Sequence, residues 1–175
     1  MSFPEGGPAV PTTLPVPISF RLPEGWLPAS PPEGPDAPGV AFAAVHPVPD
    51  AGFTANITID GEYRPDTATL AQLADESVER LSEVVGAVAV AHRREIDSDG
   101  APAVTQQLTF SAVAGGVRRD LVQSQVYLSL LDVRDPRERA VIRLALTATP
   151  AQHEAVLADF QDFVRTVRPN SGDEV

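Results

Sequence analysis

The chain of 175 residues contains no cysteine and no lysine. Without cysteine there is no disulfide framework, thiolate nucleophile, iron–sulfur cluster or cysteine-borne lipid anchor. Without lysine there is no Schiff-base chemistry, no attachment point for pyridoxal phosphate and no phosphate-loop lysine. All 13 basic residues are arginine; an Ala/Pro/Arg-rich, lysine-free composition is what a GC-rich genome encodes. Aromatic residues make up 6% of the chain, with one tryptophan, Trp26. No stretch approaches the roughly 18 apolar residues of a membrane-spanning helix. The start, Met1-Ser2-Phe3-Pro4-Glu5-Gly6-Gly7, lacks the basic region and apolar run of a signal peptide. The expectation is a cytoplasmic protein without membrane insertion. Positive charge is scarce: 24 acidic residues oppose the arginines, the net charge is −11 and the pI is about 4.5. That balance argues against nucleic acid and anionic membrane surfaces as partners.

Hydrophobic content of 43% is that of a globular protein. A chain of this length buries roughly 70% of its unfolded surface and needs no covalent staple. Thirteen of the 18 prolines lie in the first 50 residues. Residues 1–15 therefore read as a flexible Pro-rich tail, 16–169 as a single domain and 170–175 as a C-terminal tail.

The strongest pattern is a long hairpin, Leu121 to Thr149. Val122, Ser124, Val126, Leu128 and Leu130 alternate on one face, and Ile142, Leu144, Leu146 and Ala148 answer on the return strand. The other face is mixed: Leu121, Gln123, Gln125, Tyr127 and Ser129 with Val141, Arg143, Ala145 and Thr147. Asp132 to Glu138 forms the turn, around Asp135-Pro136. Strands this long belong at the centre of a sheet.

Elsewhere, period-two alternation marks Val16–Leu22, Gly39–Val48, Gly52–Asp60, Ala87–Ile96 and Ala103–Val113 as strands, with Ser30–Pro38 and Gly61–Asp66 as loops. Trp26, after the Pro23-Glu24-Gly25 turn, reads as an anchor onto the core and alternatively as a ligand contact. Leu70, Leu73, Ala74, Ser77, Leu81, Val84 and Val85 follow a helical period. Thr69 with Gln72 has capping-box spacing, Gly86 stops the helix, and Glu76 stands i,i+4 from Arg80. A second helix starts at Thr149-Pro150-Ala151-Gln152 and carries His153, Val156, Leu157, Phe160, Phe163, Val164 and Val167 on one stripe until Pro169. The predicted order is β-β-β-α-β-β-β-β-α. It specifies an α+β domain with an antiparallel sheet of about six to seven strands flanked by two main helices.

Chemical motifs are few. Glu95, Asp97, Asp99 and Gly100 have partial calcium-loop spacing, but Gln106 stands where the bidentate glutamate belongs and strands flank the loop, so a tight Asp-Gly turn accounts for them. Asn56-Ile57-Thr58 matches a glycosylation sequon and, without a secretion signal, reads as a strand segment. His46, His92 and His153 have no partners at metal-ligand spacing. No nucleophile elbow, zinc-protease or dinucleotide motif is present. The expectations are no metal, no cofactor and no catalytic residues. The candidate binding set is Asn56, Gln123, Gln125, Tyr127 and Arg143 on the polar sheet face, together with Trp26. Amides, a tyrosine and an arginine suit a polar partner, although a solvent-facing strand surface or a wall covered by a helix has the same composition.

Ile18-Ser19-Phe20-Arg21-Leu22-Pro23-Glu24-Gly25-Trp26, Ala55-Asn56-Ile57-Thr58, Gln123-Ser124-Gln125 and the ending Asp159-Phe160-Gln161-Asp162-Phe163-Val164-Arg165-Thr166-Val167-Arg168-Pro169 occur in an order that resembles the LpqN-type family of actinobacterial lipoproteins, whose domain is similar to the PsbP-like fold. That resemblance implies an antiparallel sheet flanked by helices and transfers no catalytic residues. The chain departs from those lipoproteins in lacking a signal peptide and anchor cysteine. Together the readings describe a non-catalytic binding or adaptor domain contacting another protein. The alternatives are a small-ligand binder or enzyme with a pocket between sheet and helix, gathering Trp26, Arg143 or a histidine with carboxylates, and a homodimer joined through an apolar part of the sheet.

Overall fold

The structure, a computed structural model, describes residues 18–29, 40–64, 68–98, 101–114, 116–131 and 139–169. The expected tails, the Ser30–Pro38 loop and the Asp132–Glu138 turn lie outside these residues. The elements are β1 (Ile18–Ser19), β2 (Leu27–Ala29), β3 (Val40–Val45), β4 (Asn56–Tyr63), α1 (Leu70–Val85), β5 (Val88–Ser98), β6 (Ala101–Ala114), β7 (Val117–Leu131), β8 (Arg139–Ala148), α2 (Pro150–Thr166) and β9 (Arg168–Pro169). Seven strands form one antiparallel sheet in the order β2-β3-β4-β8-β7-β6-β5. The long hairpin lies at its centre, as its apolar length requires.

Two expectations need correction. Among the described residues the first expected strand keeps Ile18 and Ser19, which pair with Arg168 and Pro169 instead of joining the main sheet. Pro169 within the pair removes a ladder donor. Leu27–Ala29 is an additional edge strand on β3. Pro28 at its middle hid it from a propensity reading, yet an edge tolerates proline. Both sheet edges resist further pairing. β2 is short, and β5 carries a bulge between Val90 and His92 followed by Arg93 and Arg94.

Local signals place the helix ends. Thr69 and Gln72 form a complete capping box on α1, and Gly86 takes φ +91° past its last turn. Thr149 accepts the Gln152 N–H at the start of α2, with Pro150 in the first turn.

The two helices occupy opposite sheet faces. On one, α2 brings Val156, Phe160 and Phe163 against Ile57, Ile59, Ile142, Leu144 and Leu146. Phe20 meets Phe42 and Phe163 edge-on, with ring centroids at 4.9 and 5.6 Å. Each fully buried side chain of this size stabilises the fold by roughly 2–3 kcal/mol. On the other face Leu70, Leu73 and Ala74 of α1 pack with Val104, Tyr127 and Val141. This second core is smaller, because the sheet surface beneath α1 is largely polar.

Candidate functional site

α1 lies mainly over β5, β6 and β7, and its contact with the sheet is a hydrogen-bonded layer. Arg93 bonds Asp75 Oδ1 on the helix at 2.7 Å and Gln106 Oε1 at 2.7 Å. Gln106 Nε2 donates to Gln125 Oε1 at 2.7 Å and to the Ala74 carbonyl at 3.3 Å. Gln125 Nε2 donates to Ser77 Oγ at 3.2 Å and to Gln123 Oε1 at 2.6 Å. Arg143 Nη1 donates to Ser77 Oγ at 3.0 Å, and Arg143 Nη2 pairs with Asp60 Oδ2 at 2.7 Å. The chain of bonds runs from β5 to β4 and passes through the helix at Ser77. A polar layer satisfied in this way holds both the sheet register and the helix position.

Of the sequence candidates, Gln125 (1% exposed) and Tyr127 (4% exposed) are sealed beneath α1. Arg143 is half-buried at the helix margin. Asn56 and Gln123 are half-exposed beside the helix. Trp26 is in the opposite core, where its indole N–H reaches Asp159 at 3.3 Å. Trp26 and Arg143 are therefore separated by the sheet, and no pocket gathers both. Sequence reasoning missed Ser77, Asp60, Gln106, Arg93 and Leu27 as neighbours of the site. Ser77 left a readable signal, a hydroxyl inside an otherwise apolar stripe.

Burial and pairing shift the charged groups of this layer. Burial pushes the Tyr127 hydroxyl above its ordinary value, so it stays a neutral phenol and donates to Gln125 Oε1 at 3.2 Å. Burial also raises the Asp60 carboxyl, against the pull of Arg143. For Arg143 burial acts downward, but Asp60 and Tyr127 outweigh it and raise its value. The pair is held as ions by contact at 2.7 Å, and Tyr127 supplies no phenolate. On the α2 face, Ser124 Oγ lies 2.7 Å from His153 Nε2. Burial lowers the His153 value, and both residues are core members. Among the described residues no three His, Asp or Glu side chains converge as metal ligands do.

Beyond α1 the same face continues as ordered rows. Gln123, Thr147, Asn56, Val45 and Leu27 are successive cross-strand neighbours from β7 to β2. The next row reads Gln125, Ala145, Thr58, Ala43 and Ala29. In the first row Gln123 donates to Thr147 Oγ1 at 2.8 Å and Asn56 to the Thr54 carbonyl at 3.3 Å. Leu27 is 53% exposed. In the second row Ala145 and Ala43 are buried, and Thr58 and Ala29 are half-exposed.

No protein-family model and no curated protein matches the chain. Solved structures match its fold. LpqN of Mycobacterium tuberculosis, involved in cell envelope biogenesis, aligns with TM-score 0.61 and 14% identity over 90% of this chain and 85% of its own. The cyanobacterial PsbP protein CyanoP of Synechocystis sp. PCC 6803 aligns with TM-score 0.58 and 18% identity over 87% and 86%. The Ran-binding protein Mog1p of Saccharomyces cerevisiae aligns with TM-score 0.58 and 18% identity over 87% and 89%. The chain thus has a PsbP-like α+β fold. At these identities the likeness is one of fold; membership of the lipoprotein family, expected from scattered segments, has no matching family model behind it.

Proposed function

We propose that this chain is a non-catalytic protein-binding domain that engages its partner through the polar sheet face beside α1. The carrying observation is the half-exposed row Gln123–Thr147–Asn56–Val45–Leu27. It presents amide, hydroxyl and aliphatic groups together, as a protein interface does. The groups that could do chemistry on this face, Tyr127, Asp60 and Arg143, are occupied by one another and by Ser77. Mog1p, on the same fold, is a Ran-binding protein, so the architecture can serve protein recognition. A pocket between sheet and helix is less well supported, because hydrogen-bonded side chains fill the space under α1.

Site-specific photocrosslinking tests the reading. A benzophenone amino acid at Asn56 or Thr147 is expected to give a discrete protein adduct in native lysate, lost in the Thr58→Arg variant. The same probe at Ala89, exposed on the other face of the sheet, is expected to give none. Absence of an adduct at both Asn56 and Thr147 would overturn the proposal.

A further inference from the structure

β6 and β7 outrun the rest of the sheet at one end. β5 begins at Val88, opposite Phe110, and β8 ends at Ala148, opposite Val122. Past those rows β6 and β7 continue alone for four pairs, from Ser111–Asp120 to Ala114–Val117. At the usual rise per residue they form a two-stranded arm about 13 Å long. The arm is braced on one side, where Arg119 donates to the Ala51 carbonyl between β3 and β4. Its other side is open: among the described residues no strand pairs with the outer edge of Ser111–Ala114. A Cβ added at Gly86, just before β5, or at Gly116, in the arm's turn, meets no atom within 4 Å. Val113 on this edge is 67% exposed, the highest value among the exposed large hydrophobic residues. β5 guards its own edge with a bulge and two arginines. The arm has no such guard, because no charged residue occurs from Ala101 to Val117 and no proline from Ala103 to Val117.

We infer that the outer edge of Ser111–Ala114 pairs with the same edge of a second copy of this chain, the two arms lying antiparallel about a two-fold axis at Val113. A strand that pairs with itself across a two-fold sets residues of one face opposite each other, so the axis passes through a residue. Centred on Val113, the register places Ala112 opposite Ala114 of the second copy and the two valines opposite one another. Centred on Ala112, it would bring Ala114 of the second copy to Phe110, a place Val88 already occupies. The outward backbone groups of the arm gain partners in this way. Charge favours the same occupant. Arg118, Arg119 and Asp120 give the arm a sum of +1, so the rest of a chain at −11 carries −12. Each arm therefore extends a cationic end toward an acidic body. Arg118 is the cross-strand neighbour of Val113, and the two Arg118 stand three strand spacings apart, about 14 Å, beyond the screening length of about 8 Å. Four residues on each side make a small contact, and the dimer is reversible. This edge shares no residue with the Gln123–Thr147–Asn56–Val45–Leu27 row.

A chain without cysteine makes the test direct. Opposed residues of antiparallel strands have Cα atoms about 4.5–5.5 Å apart, within the reach of a disulfide. Val113→Cys is expected to form a disulfide-linked dimer under mild oxidation at least about tenfold faster than Val117→Cys. The Val117 positions lie on the outer strands of the four-stranded ribbon, at least about 14 Å apart. Sedimentation of the wild type is expected to show a monomer–dimer equilibrium across roughly a hundredfold range of concentration. Val113→Lys, with unchanged circular dichroism, is expected to stay monomeric throughout. Dilution of the wild type is expected to move the amide signals of Ser111, Ala112 and Val113, and these shifts decide the matter if Val113→Lys misfolds. A wild type that remains monomeric, a dimer that survives Val113→Lys, dilution shifts confined to other residues, or equal disulfide rates at the two positions would each overturn the pairing. Species growing beyond a dimer would show an open head-to-tail contact and overturn the two-fold.

Discussion

Ser77 and His153 show how single residues follow their surroundings. Each is a polar position on an apolar helical stripe, and each meets a polar partner in the sheet: Ser77 with Gln125 and Arg143, His153 with Ser124. The pattern announced the mismatch, but the partners are distant in sequence and could not be read from it. His153 yields a pH prediction. Burial lowers its folded value below the 6.5 of an exposed imidazole. As pH falls through 6.5 the unfolded chain takes the proton first, so stability drops with falling pH until the folded value is passed. Urea midpoints at pH 7.5 and 5.5 are expected to fall further apart in the wild type than in His153→Gln. Equal intervals would show that the ring does not titrate with unfolding.

Among the elements, α1 was the most legible. Its cap is a three-residue pattern, and its stop is a glycine at φ +91°. Both depend on neighbours within one turn. An added Cβ at Gly86 meets no atom within 4 Å, so the cost of Gly86→Ala is that of the backbone conformation alone. A loss of about 1–2 kcal/mol is expected, measurable by denaturant unfolding. A loss near zero would mean the turn relaxes to an ordinary conformation. The short strands β2 and β9 were illegible for the opposite reason. Each contains a proline and owes its extended state to a partner strand outside its own segment, β3 for β2 and the distant β1 for β9. Val84 failed similarly: its helical phase matches the buried stripe, but it is 62% exposed.

At the scale of the molecule, the same central strands serve both cores. Leu144 and Leu146 of β8 face α2, while Val141 faces α1. Neither core can be lost without the sheet that supports the other, so unfolding is expected to be a single transition. Leu73→Ala, on the α1 face, is expected to cost about 2–4 kcal/mol. It should shift the Trp26 fluorescence transition on the opposite face as much as the circular dichroism transition. Separate midpoints for the two signals would show that the faces unfold independently.

Local order was decided along the chain. The absence of cysteine and lysine, the strand alternation and the helix caps all act between residues one to four apart, and they sufficed for an α+β domain with a central hairpin. Placement of the helices was decided only in three dimensions. The alternation separated Gln123, Gln125, Tyr127 and Arg143 from the apolar face, but could not say that α1 would cover Gln125 and Tyr127 and stop short of Asn56 and Thr147. That outcome depends on loop closure and on packing between residues 32 to 66 apart in the chain. The same packing put Trp26 on the far side of the sheet.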